Sequence, residues 1–177
     1  TAVRLEEGAL SYRELFQQAK TLADAISDAS PKNQPVGILC QKDSPSFVGI
    51  LAAVLSERPY VPLNTSFPSE RLIAIAHTAQ PSCIIVSDTT LKLVDQIKDG
   101  LPEEVQMMDA SGEIIAQGTG PDYSQSDEPT ATAEGRTAYM MFTSGTTGTP
   151  KGVRVLEKNL LSYLDGIAPI ADIGPGD

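Results

Sequence analysis

Apolar residues recur along this chain with two different spacings, which predict alternating strands and helices. Short, continuously apolar runs predict buried strands at residues 35–40, 60–64, 82–86, 104–109 and 137–143. Amphipathic stretches between them predict helices at residues 11–27, 44–57, 68–79 and 90–100. Continuous apolar strands alternating with helices are typical of a sheet that is covered on both faces. The pattern therefore predicts an α/β fold with a mostly parallel sheet flanked by helices.

Capping residues mark where the first helices begin. Ser11 and Glu14 have the spacing of a capping box at the start of the first helix. At the second helix, Ser44 is the predicted cap, and Pro45 falls in the first turn, where its missing N–H costs little. Before the first helix, two short strands are predicted around residues 7–8.

Residues 110–135 have a different composition from the rest of the chain. Ser, Thr, Gly, Asp, Glu and Pro dominate, and apolar residues become sparse. An apolar strand follows at once, so this stretch is interpreted as a surface excursion and not as a domain boundary. The prediction is a single α/β unit over residues 1–177.

Composition narrows the classes of function. A chain of 177 residues is long enough to bury a core without metals or disulfides. Its formal charge of −10 argues against nucleic acid as a partner, because a phosphate backbone attracts basic surfaces. No run approaches the roughly 18 consecutive apolar residues of a membrane span, and the first residues lack the pattern of a secretory signal. A cytoplasmic protein is therefore expected, with no nucleic-acid or membrane partner.

Three basic residues are the local exception to the acidic composition. Lys151, Arg154 and Lys158 fall within eight residues, which indicates a small anionic ligand. Neither cysteine suggests a metal site: Cys40 and Cys83 lie far apart in apolar segments and are expected to be buried and reduced. For His77, the single histidine, a structural or surface role is expected.

Residues 143–152 gather the groups that suit a phosphate. Gly145, Gly148 and Gly152 permit positive backbone dihedrals and leave room for close approach. Lys151 adds a mobile positive charge. Hydroxyl donors come from Thr143, Ser144, Thr146, Thr147 and Thr149. The stretch follows a predicted strand, and open parallel sheets bind ligands beyond the carboxyl ends of their strands. The alternative is a Gly/Thr-rich hairpin or surface turn.

Two common nucleotide motifs do not fit this stretch. A Walker A loop places Lys directly after Gly and before Ser or Thr, whereas here Pro150 precedes Lys151 and Gly152 follows it. A dinucleotide fingerprint needs Gly-x-Gly-x-x-Gly at the start of a long helix. The commonest nucleotide-hydrolysing and hydride-transferring classes are thereby disfavoured.

The string TSGTTGTPKGV at residues 143–153 resembles the signature loop of the adenylate-forming (AMP-binding) superfamily. That superfamily contains acyl-CoA synthetases, luciferases, amino-acid adenylation domains of nonribosomal peptide synthetases and D-alanine carrier-protein ligases. YVPLN followed by FPSERL resembles its second core motif, and LSYRELFQQAKTLADAI resembles its opening helix. The resemblance covers nearly the whole chain. It implies the N-terminal subdomain of an adenylate-forming enzyme.

The resemblance implies a two-step ligase that uses ATP and Mg²⁺. A carboxylic acid would first become an acyl-adenylate, and the thiol of a carrier-protein phosphopantetheine or of CoA would then take the acyl group. The loop would close over the β- and γ-phosphates, with Lys151 and Thr147 as catalytic residues and no protein metal ligand. The ATP-binding residues would be Thr143, Ser144, Gly145, Thr146, Thr147, Gly148, Thr149, Lys151 and Gly152.

Two positions depart from the superfamily pattern. The segment LSERP precedes Tyr60, where a glycine-rich turn is usual. Glu157 stands where many members have a histidine that shapes the acyl pocket, and in this respect the chain is more similar to D-alanine carrier-protein ligases. The superfamily's adenine and ribose motifs and its C-terminal catalytic lysine have no counterpart up to Asp177. The chain alone is therefore expected to be inactive and to act with the remainder of an adenylation enzyme.

Three functions remain open at this point. The first is activation of an amino acid for transfer to a carrier protein, favoured by YVPLN, PSERL and Glu157. The second is an acyl-CoA synthetase for a fatty or aromatic acid, which the ATP loop cannot distinguish from the first. The third is a non-catalytic module that binds a nucleotide or a partner.

Overall fold

The computed structural model describes residues 1–5, 8–29, 34–39, 41–123, 131–132, 135–143 and 150–171. The helices are α1 (Tyr12–Ala29), α2 (Ser44–Leu55), α3 (Ser69–Ala79), α4 (Leu91–Ile97) and α5 (Glu157–Ala171). The strands before residue 100 are β1 (Val3–Leu5), β2 (Gly8–Leu10), β3 (Val36–Leu39), β4 (Tyr60–Pro62) and β5 (Cys83–Val86). The later strands are β6 (Gln106–Met108), β7 (Ile114–Gln117), β8 (Ala131–Thr132), β9 (Gly135–Thr143) and β10 (Lys151–Leu156).

One main sheet organises the described part of the chain. Its strands follow the order β10-β9-β4-β3-β5-β6-β7, and β8 pairs with β9 beside this path. The five strands from β9 to β6 are parallel, whereas β10 and β7 pair antiparallel at the two edges. The predicted α/β fold with a mostly parallel sheet is confirmed. β1 and β2 form a separate antiparallel pair ahead of α1.

Helices cover both faces of the sheet. Every residue of β3 and of β5 is buried, as expected for central strands of a covered sheet. Ile85 points into a core cluster with residues of α1 and α2. Its neighbour Ile84 points to the opposite face, into a cluster with residues of α3 and α4. Burying each such side chain contributes about 1.5–3 kcal/mol.

Local hydrogen bonds explain where two helices begin. The Ser11 hydroxyl accepts from the Glu14 N–H at 3.2 Å, and Glu14 Oε2 accepts from the Ser11 N–H at 2.8 Å. The capping box predicted there is confirmed. Its hydrogen bond from the Ser11 backbone lowers the pKa of Glu14.

The predicted cap of α2 is wrong by one residue. Asp43, not Ser44, has the extended backbone of an N-cap, and its carboxylate accepts from the Ser46 N–H at 3.2 Å. Ser44 is already helical, and Pro45 lies in the first turn as expected. The Asp43 N–H in turn donates to the Ser46 hydroxyl oxygen at 3.4 Å, so the pair forms a reciprocal capping box. The Ser46 hydroxyl also donates to Asp43 Oδ1 at 2.6 Å.

Residues 110–135 contain two strands that the composition does not predict, β7 and the two-residue β8. β7 pairs antiparallel with β6, with Gln117 opposite Gln106. Ile114 and Ile115 of β7 are exposed, so the short apolar run of this edge strand is not buried as those of the central strands are. Residues 124–130 and 133–134 of the predicted surface excursion lie outside the described residues.

Candidate functional site

The carboxyl end of β9 and the start of β10 bring two predicted phosphate ligands together. The strands form an antiparallel pair in which Lys151 lies opposite Thr143. Directly opposed residues project to the same face, so the Thr143 hydroxyl and the Lys151 ammonium stand on one side of the pair. Both residues are exposed. A hydroxyl donor and a cation thus flank the connection that joins the two strands.

The rest of the predicted loop lies outside the described residues. This applies to Ser144, Gly145, Thr146, Thr147, Gly148 and Thr149. Their assignment as phosphate ligands stays a prediction. The described part restricts where the connection begins and ends, because Thr143 closes β9 and Lys151 opens β10.

The position of this connection agrees with the topology of the sheet. β9 is parallel to β4, and β4 is parallel to β3. The carboxyl ends of these strands therefore share one edge of the sheet. Ligands of open α/β sheets bind beyond that edge, and Thr143 lies there with Lys151 opposite it.

The three basic residues whose closeness in sequence indicates a small anionic ligand do not converge in the structure. Successive residues of a strand alternate between faces, so Lys151 and Arg154 project to opposite sides of β10. Arg154 is paired with Met140, which belongs to the core cluster beneath α3 and α4. Lys158 lies in the first turn of α5. Of the three, Lys151 stands beside the predicted loop, and the convergence inferred from sequence spacing is wrong.

Gly152 is a strand residue with a close neighbour. Among the described glycines, positive φ occurs at Gly8, Gly112 and Gly135, so Gly152 does not use the positive dihedral that a glycine permits. A Cβ at Gly152 would lie 3.0 Å from Cζ and 3.1 Å from Cε1 of Phe142. An aromatic ring therefore occupies the space that a side chain would need.

An apolar strip leads away from Thr143 on the same face of the strand pair. Met141 and Val153 are opposite each other and are 47% and 52% exposed. Further along, Tyr139 stacks on Tyr60 of β4 with ring centroids 5.3 Å apart. Burial raises the pKa of Tyr60, and the neighbouring Tyr139 adds to the effect. The strip places apolar surface directly beside the candidate phosphate ligands.

A polar network fills the crevice between the carboxyl ends of β3 and β5. The chain leaves β3 toward α2 on one face and leaves β5 toward α4 on the other, which makes this point a topological switch. The Ser87 and Thr89 hydroxyls lie 2.9 Å apart, and Thr89 donates to Asp43 Oδ2 at 3.5 Å. These groups bond to one another, so the network is structural. The D-S-P-S capping pattern was the sequence signal for its Asp43–Ser46 half.

Glu157 lies far from the connection between β9 and β10, residues 144–150, which is called the phosphate connection below. α5 begins at the opposite end of the strand pair, since Leu156 is paired with Thr137. Six residues of strand separate Thr137 from Thr143, which corresponds to roughly 20 Å. The Glu157 carboxylate accepts from Arg136 Nε at 2.8 Å. The sequence pattern did not indicate this partner.

A cavity of about 530 Å³ lies at the opposite ends of the strands, near the amino ends of β5 and β6. Its lining includes Ser82, Glu104, Asp122 and Tyr123. Two carboxylates make this cavity unsuitable for phosphates. None of the predicted site residues lines it, so the cavity is not part of the candidate site.

Two other residues of reactive types, Cys83 and His77, have contacts that indicate structural roles. Cys83 is fully buried, and burial raises the pKa of its thiol to about 11, so it is a weak nucleophile. Cys40 lies outside the described residues. His77 Nε2 is 2.8 Å from the Gly100 carbonyl oxygen, and its ring packs edge-on against Tyr123.

A metal-binding cluster and a membrane-spanning helix are both absent from the part of the chain that the structure describes. It contains no group of three His, Cys, Asp or Glu side chains arranged to hold a metal ion. Likewise, none of its helices combines the length and the apolar character that crossing a bilayer requires.

Comparison with known proteins supports the superfamily resemblance. The model of the family described as AMP-binding enzyme matches residues 1–177. A dimodular nonribosomal peptide synthase of Bacillus subtilis (strain 168) is 30% identical over 179 residues. That match covers 99% of this chain and 7% of the synthase, so the chain spans a small part of this relative.

Solved structures agree with the observed fold. The crystal structure of IdnL7 matches with a TM-score of 0.75 and 25% identity, over 98% of this chain and 35% of that one. The structure of McyG A-PCP complexed with phenylalanyl-adenylate matches with a TM-score of 0.71 and 19% identity, over 96% of this chain and 28% of that one. At 19% identity, the second match shows the fold alone.

Proposed function

Because this chain belongs to the family of AMP-binding enzymes, we propose that it holds the phosphates of ATP while a carboxylic acid is activated as its adenylate. The observation that carries this proposal is the pairing of Thr143 with Lys151 across the ends of β9 and β10. The connection between them holds four more hydroxyl residues and two glycines. The site would thus surround an anion with donors and one cation.

The proposed chemistry is nucleophilic attack at the α-phosphorus of ATP. A carboxylate oxygen of the acid forms the new P–O bond, the bond to the bridging oxygen breaks, and pyrophosphate leaves. Negative charge accumulates on the departing β- and γ-phosphates, and donors placed there in advance lower the barrier. Lys151 and Thr147 would contact these oxygens as catalytic residues, with the other residues at 143–152 as ATP ligands.

Mg²⁺ would reach this site with ATP. Among the described residues no cluster of three metal-binding side chains exists, so the ion would be held chiefly by phosphate oxygens, as is common for nucleotide-bound magnesium. Bound there, it supplies charge neutralisation for the phosphates. Lys151 supplies positive charge from the protein side, and the Thr143 hydroxyl orients an oxygen beside it.

We propose an amino acid as the acid and a carrier-protein thiol as the acceptor. The similarity to a nonribosomal peptide synthase over 99% of this chain supports this choice. The fold shared with McyG A-PCP, a protein solved with an aminoacyl-adenylate, is compatible with it. The second step would form a thioester to a phosphopantetheine thiol and release AMP. The remainder of an adenylation enzyme would provide the acid pocket, and the cytoplasm would supply ATP.

ATP–pyrophosphate exchange tests the proposal on the polypeptide that the whole reading frame encodes. Exchange is expected with an amino-acid pool, and Lys151→Ala should reduce it by about 10²-fold, as for other lost transition-state donors. Lys20→Ala is the matched control, because Lys20 is an exposed α1 residue that bonds Asp24. Exchange with fatty or aryl acids alone would assign an acyl-CoA synthetase instead.

Direct ATP binding to residues 1–177 separates binding from chemistry. By calorimetry, Lys151→Ala should weaken binding by about tenfold or more, and Lys20→Ala should leave it unchanged. Equal ATP affinity in the wild type and in Lys151→Ala would contradict the phosphate role. ATP binding without exchange in the whole polypeptide would indicate a nucleotide-binding module.

A further inference from the structure

Phe142 and Gly152 form the cross-strand pair next to the Thr143–Lys151 pair. A Cβ built at Gly152 would lie 3.0 and 3.1 Å from two carbons at the tip of the Phe142 ring. Real Cβ atoms are seldom this close to a neighbour, so the ring uses the space left by the missing side chain. Phe142 therefore lies over the backbone of β10 at its second residue.

The Phe142 ring is also held by the core. It is half-buried and packs against the cluster beneath α3 and α4, which includes Met140. The ring thus connects this core to β10. β10 pairs with β9 at the edge of the sheet, so a contact from the core fixes a strand that has one neighbour in the sheet.

Phe142 and the phosphate ligands occupy opposite faces of the strand pair. Thr143 follows Phe142, and Lys151 precedes Gly152, so their side chains alternate. The Phe142 ring therefore cannot contact a phosphate held by Lys151 and Thr143. Any effect of Phe142 on the site acts through the backbone.

The register of this strand pair depends on a few contacts. A shift occurs in the pairing between Val155 and Leu156, at the far end of β10. A slip of one residue at the near end would move the Lys151 side chain to the other face. The exposed pair of Met141 and Val153 adds little restraint there. The contact of Phe142 with Gly152 lies directly beside Lys151, where a slip in register would move the Lys151 side chain away from Thr143.

We propose that Phe142 is a positioning residue for the phosphate site and that Gly152 serves as the surface on which its ring rests. The contact holds Lys151 opposite Thr143, at the two ends of the ATP connection. This inference rests on the proposed function, because it assigns importance to the place of Lys151. It also gives Gly152 a role that requires no contact with ATP.

Second-site rescue tests this inference in residues 1–177. Gly152→Ala forces the ring aside and should weaken ATP binding about tenfold. Phe142→Leu removes the ring tip, so the double variant Gly152→Ala/Phe142→Leu should bind ATP more tightly than Gly152→Ala, with strong non-additivity. Gly166→Ala is the control, because nothing lies within 4 Å of a Cβ there.

An NMR signature reports the contact itself. Protons beneath an aromatic ring are shifted by its ring current, so the Gly152 Hα resonances should be displaced in the wild type and should move toward ordinary values in Phe142→Leu. Nuclear Overhauser contacts between the Phe142 ring and Gly152 Hα should vanish in the same variant. Undisplaced Hα resonances in the wild type would overturn the proposed contact.

The outcomes separate the inference from the proposed function. If Lys151→Ala abolishes ATP binding but Phe142→Leu fails to rescue Gly152→Ala, the positioning role is wrong and Gly152 contacts the nucleotide directly. If Lys151→Ala has no effect on ATP binding, the proposed function fails, whatever the Gly152 resonances show. Rescue of affinity together with the ring-current shift supports the inference.

Discussion

Arg136 binds Glu157 through two nitrogens and thereby ties the amino end of β9 to the first turn of α5. Nε and Nη2 of the guanidinium lie 2.8 and 2.7 Å from the same carboxylate oxygen, and Nη1 lies 3.2 Å from Glu57. The hydrogen bond to Glu157 raises the pKa of Arg136. Glu157 therefore has a structural partner at a distance from the phosphate connection.

We expect Glu157→Gln to destabilise the chain modestly. The side chains of Arg136 and Glu157 are 44% and 43% exposed, and exposed ion pairs contribute about 0.2–1 kcal/mol. Urea unfolding of Glu157→Gln, of Arg136→Gln and of the double variant gives the coupling energy between the two side chains. It should shrink in 0.5 M salt, to about the level of the exposed Lys20–Asp24 pair. A coupling near zero at low salt would contradict the two-point geometry.

Gly118→Ala should be severely destabilising. A Cβ at Gly118 would overlap the carbonyl oxygens of Leu101 and Pro102, and backbone atoms cannot move aside as a side-chain tip can. A loss of about 3 kcal/mol or more in the free energy of unfolding is expected. The urea midpoint measures it.

Gly166→Ala is the control for Gly118→Ala, because it makes the same substitution at an exposed glycine of a helix. Gly166 lies within α5 and nothing lies within 4 Å of a Cβ there. Alanine should stabilise the chain by about 0.5–1 kcal/mol, because glycine loses more backbone entropy in a helix. Equal effects of the two substitutions would show that the backbone of Leu101 and Pro102 packs differently against Gly118.

The stability of the fold should fall above pH 8 because of Cys83. Its thiol has a pKa of about 11 in the folded chain against an ordinary value of 9.0. Between these values the unfolded chain releases the proton and the folded chain retains it, so unfolding becomes easier as pH rises. The stabilisation is complete below the ordinary pKa and is lost by about pH 11. Tyr123, whose pKa burial also raises, acts in the same direction at higher pH.

Comparison with Cys83→Ala isolates this effect. From pH 7.5 to 9.5, the free energy of unfolding of the wild type should fall by about 1 kcal/mol more than that of the alanine variant. Cys40 is present in both proteins, so its ionisation cancels. Parallel pH profiles would mean that solvent reaches the Cys83 thiol in the folded chain.

Self-association of residues 1–177 is expected through α5. Leu161, Tyr163 and Leu164 are 60%, 62% and 47% exposed, and contiguous apolar surface of this kind marks contact sites. Light scattering should report species larger than a monomer at high concentration. Leu161→Glu combined with Leu164→Glu should shift the population toward monomer, whereas Ile114→Glu at the other edge of the sheet should do so less. A monodisperse wild-type monomer would contradict the expectation.

The central strands and the helices were predictable because their signals are local. The continuous apolar runs of β3 and β5 mark strands buried on both faces, and Ser11 with Glu14 forms the capping box that their spacing indicates. β7 was missed because an edge strand needs neither alternation nor a long apolar run. Its pairing with β6 is tertiary information.

The residue types of the candidate site are visible in the sequence, whereas its described geometry could be predicted only in part. The hydroxyls, glycines and Lys151 are visible in sequence, and the β9–β10 pairing does bring Thr143 and Lys151 together. The sequence did not indicate that Arg154 would face away from Lys151, because that depends on β10 being a strand. Nor did it indicate that Gly152 would lie under Phe142, because cross-strand register is absent from the linear pattern.

The pairing of Tyr60 with Tyr139 has a consequence for synthesis of the chain on the ribosome. β4 emerges long before β9, since β5, β6 and β7 are made in between. At roughly 5–20 residues per second, the nascent chain carries β4 as an open edge for several seconds. Pro62 within β4 offers no N–H to an intruding strand. β9 and β10 are synthesised after the other strands of the main sheet, so this edge is the last to be closed during synthesis.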